Sequence, residues 1–335
     1  MTGIQWTQVV WNPTTGCDKV SPGCGLPRFD GDLPGGCYAM AMAKRLKRMG
    51  QPKYQRDGDP RTSGTGFGLT VHPDVLDLPL RWRKPKRVFV NSMSDLFHDQ
   101  VPDEFIARVF AVMTITPWHT YQLLTKRHGR MRSLLGSERF AELYVSSFER
   151  LSDDLYFHGG SRRWRDWFES WERTWPLPNL HLGVSAEDQH WAEIRIPALL
   201  DTPAAVRWVS AEPLLGPIRL PFTVEVDRCT CGVGPSGYYG MHERGCGLEM
   251  GPAWGSLHWV VAGGESGPGA RPADMWWFHS LRRQCAEAGV PFFMKQLGSG
   301  LGREMGAGPK GGDIEAFPED LRVREFPVVT EGVPA

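Results

Sequence analysis

The chain has 335 residues, 38 basic and 38 acidic side chains, and a hydrophobic content of 41%. Such a composition is that of a soluble globular protein with room for one large domain or two small ones. It excludes an integral membrane protein, because no apolar run approaches the roughly 20 residues that cross a bilayer, and zero net charge excludes a global basic field that would draw in nucleic acid, while leaving room for a local patch.

Ile4 to Trp11 alternates loosely and is rich in β-branched and aromatic residues, which predicts a first strand. Polar residues and Pro13 interrupt MTGIQWTQVVWNP, so no signal segment is expected and the setting is read as cytoplasmic. The strand leads into a Gly/Pro-rich loop that carries Cys17, Cys24 and Cys37, three of the seven cysteines. Where thiols stay reduced, clustered cysteines point to a metal or to catalysis more than to disulfides. Thiolates are soft ligands, and three on one loop can converge on a metal or an iron–sulfur cluster. The other reading is a set of free thiols, or two disulfide partners and a spare.

After Cys37, YAMAMAKRLKRMG reads as a helix with Ala39, Met42, Ala43 and Leu46 on one face and Gly50 as its stop. Residues 51–68 are polar and Gly/Pro-rich, as in an ordered loop or lid. Short β-rich runs then recur at Arg87–Asn91, Tyr121–Thr125, Leu180–Ser185, Val206–Ser210, His258–Ala262 and Pro291–Lys295, with helical patterns such as Pro102–Met113 and Met275–Ala288 between them. Near-continuous apolar strands alternating with helices predict a parallel sheet covered by helices. Seven candidate strands predict an α/β fold, a partial TIM-like (β/α) barrel in one domain over 1–335, with a flexible tail from about residue 298.

A barrel of this kind places its chemistry at the C-terminal ends of its strands. Ser92, Ser94 and Asp95, Lys126 and Arg127, Glu187 and Asp188, Glu212, Glu265, and Lys295 follow successive strands and would line one mouth, although each alone is as well read as a solvated loop charge. Two insertions break the rhythm. The first, 137–175, is a helical, Trp/Arg-rich segment in which Trp164, Trp167, Phe168, Trp171 and Trp175 form an aromatic stripe. Packing is its expected role, with nucleic-acid binding through Arg162, Arg163 and Arg165 the alternative. The second, 227–252, carries Cys229, Cys231, His242 and Cys246, four ligands of the kind a closed structural zinc site uses, or else a hairpin with incidental thiols. Cys285 lies mid-helix and reads as a small buried hydrophobe.

TGC…C…CYA after a first strand, with LRWRKPKRVFVNSMSDLFHDQVP, YQLLTKR, LGVSAEDQ, SAEPLLGP, WVVAGGESGPGARP and PFFMKQ, resembles the phage-associated radical-SAM-like proteins of unknown function, the three-Cys-motif phage family. The resemblance covers nearly the whole chain apart from the insertions and tail. It implies a radical-SAM type of partial barrel with a [4Fe–4S] cluster on Cys17, Cys24 and Cys37. It also implies S-adenosylmethionine on the open iron, cleaved to a 5′-deoxyadenosyl radical by an electron from a reductant, and a three-Cys-motif partner protein. The gap between Cys24 and Cys37 is wider than the family's, and Gly36 replaces the aromatic usual before the third cysteine. Gly263–Glu265 resembles the family's Gly-Gly-Glu but follows the sixth strand instead of the second, so cofactor binding is placed on Ser92, Ser94 and Asp95. Lys126, Glu212, Glu265 and Lys295 are the charged groups expected around cofactor or substrate. The expected function is a radical-SAM-like enzyme acting on an unknown substrate, for which the insertion's Arg and Trp suggest a nucleic acid or nucleotide. The alternative is an iron–sulfur or zinc-bearing barrel that binds nucleic acid or a partner protein without turnover.

Overall fold

Along each central strand one set of alternate side chains meets helices and the other set meets the opposite face, as a pleat with period two requires. The computed structural model describes residues 4–26, 36–158, 175–221, 223–229 and 248–327. Strands β1 (Val9–Val10), β2 (Thr14–Thr15), β3 (Thr70–Val71), β4 (Arg87–Val90), β5 (Thr120–Thr125), β6 (Leu180–Ser185), β7 (Val206–Ala211), β8 (Thr223–Cys229), β9 (Leu248–Ser256), β10 (Trp259–Gly263) and β11 (Phe292–Gln296) follow in chain order. Seven of them form a sheet in the order β1-β4-β5-β6-β7-β10-β11, every neighbouring pair parallel. The sheet curls into a half-barrel consistent with a partial TIM-like fold. The α-helices described are α1 (Tyr38–Arg48), α2 (Asp103–Thr114), α3 (His128–Leu135), α4 (Glu138–His158), α5 (Gln189–Leu200), α6 (Met275–Ala288) and the short α7 (Ser299–Glu304), joined by short 3-10 turns. None is long and apolar enough to cross a membrane.

The helix-facing set includes Val88, Val90, Leu123, Leu182, Val209, Val260 and Met294, packed with Phe105, Phe110, Ile196 and Phe278 in one large core. The concave face has its own cluster of Trp6, Phe89, Trp208, Trp259, Val261 and Phe293. Trp6 is the plug. The expected strand over Ile4–Trp11 is paired only at Val9–Val10, because the chain before it turns inward. The Trp6 ring lies edge-on to Phe89 at 4.7 Å and to Trp208 at 5.2 Å, while Gln122 Nε2 donates to its carbonyl.

Residues 299–327, expected in a flexible tail, are packed instead. Met294 N donates to Val323 O at 2.8 Å and Glu325 N to Phe292 O at 3.0 Å, so this segment covers the free edge of β11, a liability in any open sheet. The Arg87 guanidinium lies 4.4 Å over the Phe326 ring. Of the insertions, Trp175 packs near Phe110, Phe140 and Tyr144, whereas Trp164, Trp167, Phe168, Trp171 and the three arginines lie outside the described residues. Cys229 ends β8, which pairs antiparallel with β9; Cys231, His242 and Cys246 lie outside the described residues.

Gly183 is required by Trp208: a Cβ there would come within 2.4 Å of the indole nitrogen, which donates to His181 O at 3.2 Å. Gly183→Ala should therefore destabilise the barrel by about 1–3 kcal/mol through overpacking, read by urea denaturation. An unchanged midpoint would show that the concave aromatic cluster has slack.

Candidate functional site

The cysteine loop is shaped before any ligand is considered. β2 pairs with β3 antiparallel, and Gly16 N donates to Met93 O at 2.9 Å. Gly16 has φ +86° and its backbone lies against Gly68, where a Cβ would come within 2.4 Å of the carbonyl oxygen; only glycine fits both conditions. Cys17 follows directly. Cys24 ends a 3-10 turn, Pro22–Cys24, and Cys37 is the N-cap residue of α1. All three thiols are free and partly buried.

They line one cavity together with Ser92, Ser94, Asp95 and Lys126, which stand at the ends of β4 and β5. It encloses about 750 Å³ counting its open mouth, with Phe67, Phe89 and Leu124 among its apolar walls. Among the described residues, no three His, Cys, Asp or Glu side chains form a group that could hold a metal ion as they stand.

Burial pushes the Cys17 thiol far up, the Asp95 carboxylate and the other two thiols add to this, and the Arg127 charge opposes it. Cys37 is also pushed up by burial. Arg127 hydrogen-bonds the Cys17 sulfur and pairs with Asp99 at 3.0 Å.

Ser92, Ser94 and Asp95 knit the strand ends together. Asn12 Oδ1 accepts from Ser92 N at 2.8 Å, and Asn91 Nδ2 donates to Thr14 Oγ1 at 2.6 Å and Ser94 Oγ at 2.8 Å. Asp95 accepts from Thr125 Oγ1 at 2.7 Å, Phe97 N at 3.0 Å and Lys126 N at 2.9 Å. Its carboxylate is thus a brace between β4 and β5 as well as part of the cavity wall. Lys126 Nζ has no ion-pair or hydrogen-bond partner among the described residues.

Glu212, Glu265 and Lys295 do not line this cavity. Lys295 Nζ lies 2.8 Å from Glu212 Oε1, and Ser210 donates to the other oxygen at 3.1 Å. Arg271 holds Glu265 through its side chain at 2.8 and 2.9 Å and its backbone N at 2.8 Å. The mouth is therefore divided, with the cysteine pocket at the β1–β5 end and neutralised ion pairs at the other.

Two groups beside the pocket carry no motif of their own. Asp18, adjacent to Cys17, accepts from Thr62 and from His98 Nε2 at 2.8 Å; Gln100 N donates to His98 Nδ1, which assigns the ring proton to Nε2. Burial pushes the Asp18 carboxyl up, but its hydrogen bonds from Thr62, His98 and Ser63 outweigh that and hold it low. Glu187 was visible as a strand-end charge, its partner was not. Arg195 Nη1 donates to Glu187 Oε2 at 2.8 Å and to Ser185 O at 2.7 Å, both side chains being fully buried. The other oxygen, Oε1, accepts from Gly23 N at 3.0 Å, inside the turn that ends at Cys24. Burial pushes the Glu187 carboxyl up, yet the charges of Arg195 and Lys126 and the hydrogen bonds from Ser21 and Gly23 bring it below its ordinary value.

Glu187→Gln leaves Arg195 buried without its charge partner and should cost about 3–5 kcal/mol in urea denaturation, with faster thiol labelling of Cys24 under native conditions. The wild-type carboxyl is depressed on folding, so its stabilisation is complete above its ordinary value of 4.5 and is lost as pH falls through the lower folded value. The Gln variant should lack that acid-side loss; an identical pH profile would separate Glu187 from the stability of the loop.

No curated protein and no solved structure matches the chain. A family model does match, over residues 1–313, a span that contains the whole pocket, the buried Glu187–Arg195 pair and all seven strands of the main sheet. The chain belongs to the family described as a protein of unknown function, DUF5131.

Proposed function

We propose that this chain is a radical-SAM-like iron–sulfur enzyme, in which Cys17, Cys24 and Cys37 hold a [4Fe–4S] cluster and S-adenosylmethionine binds beside it. The observation that carries the reading is the shared cavity: three thiols from separate parts of a loop face one space at the C-terminal ends of parallel strands. A cluster asks for thiolates around a common space, a different requirement from side chains meeting at one ion. The donor set is soft and suits iron and sulfide. Burial raises Cys17 and Cys37, and a bound cationic centre would offset that by deprotonating coordinating thiols.

When bound, cluster and S-adenosylmethionine supply reductive cleavage of the sulfonium, by one electron from an external reductant, to methionine and a 5′-deoxyadenosyl radical. The chain's own residues bind and shield. The Arg127 guanidinium favours the thiolate at Cys17. Lys126 offers an ammonium, without a partner among the described residues, to an anionic group in the cavity. Ser92 and Ser94 present hydroxyls, and Asp95 keeps the β4 and β5 ends in register around them. Phe67, Phe89 and Leu124 limit water there, which strengthens each polar contact. Glu212 and Lys295 are assigned to the substrate side as a neutral polar pair, since Trp208, Ser210 and Glu212, like Phe293 and Lys295, alternate onto the concave face.

Anaerobic reconstitution followed by iron and sulfide counting tests the reading. Cys17→Ala, Cys24→Ala and Cys37→Ala should each abolish the broad visible absorbance of the cluster, and reduced wild type should release 5′-deoxyadenosine from S-adenosylmethionine. Retention of the colour in all three variants would overturn the ligand assignment. A coloured protein that makes no 5′-deoxyadenosine would be the non-catalytic barrel instead. Lys126→Gln should weaken S-adenosylmethionine binding about tenfold, the worth of one charge-assisted hydrogen bond; equal affinity by calorimetry would remove Lys126 from the cofactor's site.

A further inference from the structure

Helix α1 begins at the cavity, with Cys37 as its N-cap residue and Ala39 and Met40 in the cavity wall. Its buried side is Ala39 and Ala43, with Met42 and Leu46 packed beside them. At 3.6 residues per turn the opposite side is Tyr38, Ala41, Lys44, Arg45 and Arg48, a stripe of roughly 15 Å. The helix contains no acidic residue. Lys47 pairs with Asp57 at 2.7 Å, but Lys44, Arg45 and Arg48 are exposed and have no ion-pair partner among the described residues. A cation in the last turn suits the helix dipole, and Lys47 already meets that need.

In a chain whose 38 basic and 38 acidic groups balance, three cations on one short face, without an ion-pair partner among the described residues, are a local field. Tyr38 stands at the cavity end of the stripe and is 63% exposed, although aromatic rings of this size are usually drawn into a core. Lys19 and Lys126 place cations in the cavity wall, beside the Asp18 and Asp95 carboxylates. Cations spaced along a track with an aromatic ring at its end are the elements by which proteins hold single strands, the cations on phosphates and the ring on a base. A duplex keeps its reactive atoms stacked inside, so a cavity of this size admits only an unpaired or extruded nucleotide.

We propose that the exposed face of α1 is a docking track for single-stranded nucleic acid, which brings one nucleotide to the cysteine-lined cavity. This rests on that cavity being the reaction site, and it names the substrate class.

The test is fluorescence anisotropy on the full chain as purified, with a short labelled oligonucleotide of mixed sequence, as DNA and as RNA, between about 50 and 200 mM salt. Binding is expected, and log K should fall with log salt by about 0.7 for each phosphate contacted. The triple variant Lys44→Glu, Arg45→Glu, Arg48→Glu should bind at least tenfold more weakly and lose about 2 from that slope, three contacts at 0.7 each. The Gln counterpart, which keeps helix propensity and removes only charge, serves if reversal disturbs folding. Tyr38→Ala should weaken binding about tenfold with the slope unchanged, as loss of a stacking ring does. No binding at low salt, a triple variant that binds like wild type, or equal binding of a labelled polyglutamate peptide would overturn the proposal. The assay needs no cofactor, so such a result would dispose of the track alone and leave the cofactor reading to its own measurement.

Discussion

The Glu187 carboxylate is the point on which the pocket hangs. It stands just beyond β6, deep enough to be fully buried with Arg195, and it reaches across to the backbone of the turn that carries Cys24. Removing two charges from water is costly and is offset only by good geometry and further hydrogen bonds. Here Ser185 O and the Trp191 ring, 4.1 Å from the guanidinium carbon, supply additional contacts for Arg195, while Ser21 and Gly23 supply them for Glu187. Such a pair is therefore a device for position more than for stability. It fastens the turn Pro22–Cys24 to the end of β6.

Asp95 does the same work from the other side. Two of its three donors, Thr125 Oγ1 and Lys126 N, come from the β5 end and the third, Phe97 N, from its own loop between β4 and α2, so these strand ends are tied together by hydrogen bonds and are not independent loops. Charges that could have served as free acids or bases are bound into these hydrogen bonds or into the Glu212–Lys295 and Glu265–Arg271 pairs. Among the described residues Lys126 is a charge in the cavity wall left without an ion-pair partner.

The barrel's opposite end is closed by unrelated means. Trp6 enters from the N-terminal side, Phe326 packs against Trp259 and Phe293 from the C-terminal side, and the two ends of the described chain seal the concave face. Helix α1 begins at the cysteine-lined cavity, with the exposed cations Lys44, Arg45 and Arg48 along it.

Much of this was legible in the residues alone. Periodicity located the six long strands within a residue or so and placed α1 and α6 correctly, because a buried parallel strand must be apolar on both faces and a surface helix on one. The clustering of Cys17, Cys24 and Cys37 after the first strand marked the pocket. Tertiary structure alone decided which strand-end charges stand free. Glu212 and Lys295 come from different strands, Arg195 from a helix, and whether a carboxylate meets a guanidinium depends on distances that no local pattern encodes. The inward turn of Trp6 and the packing of residues 299–327 were hidden for the same reason: their partners lie far away in the chain, and burial is a property of the folded surface, not of the segment.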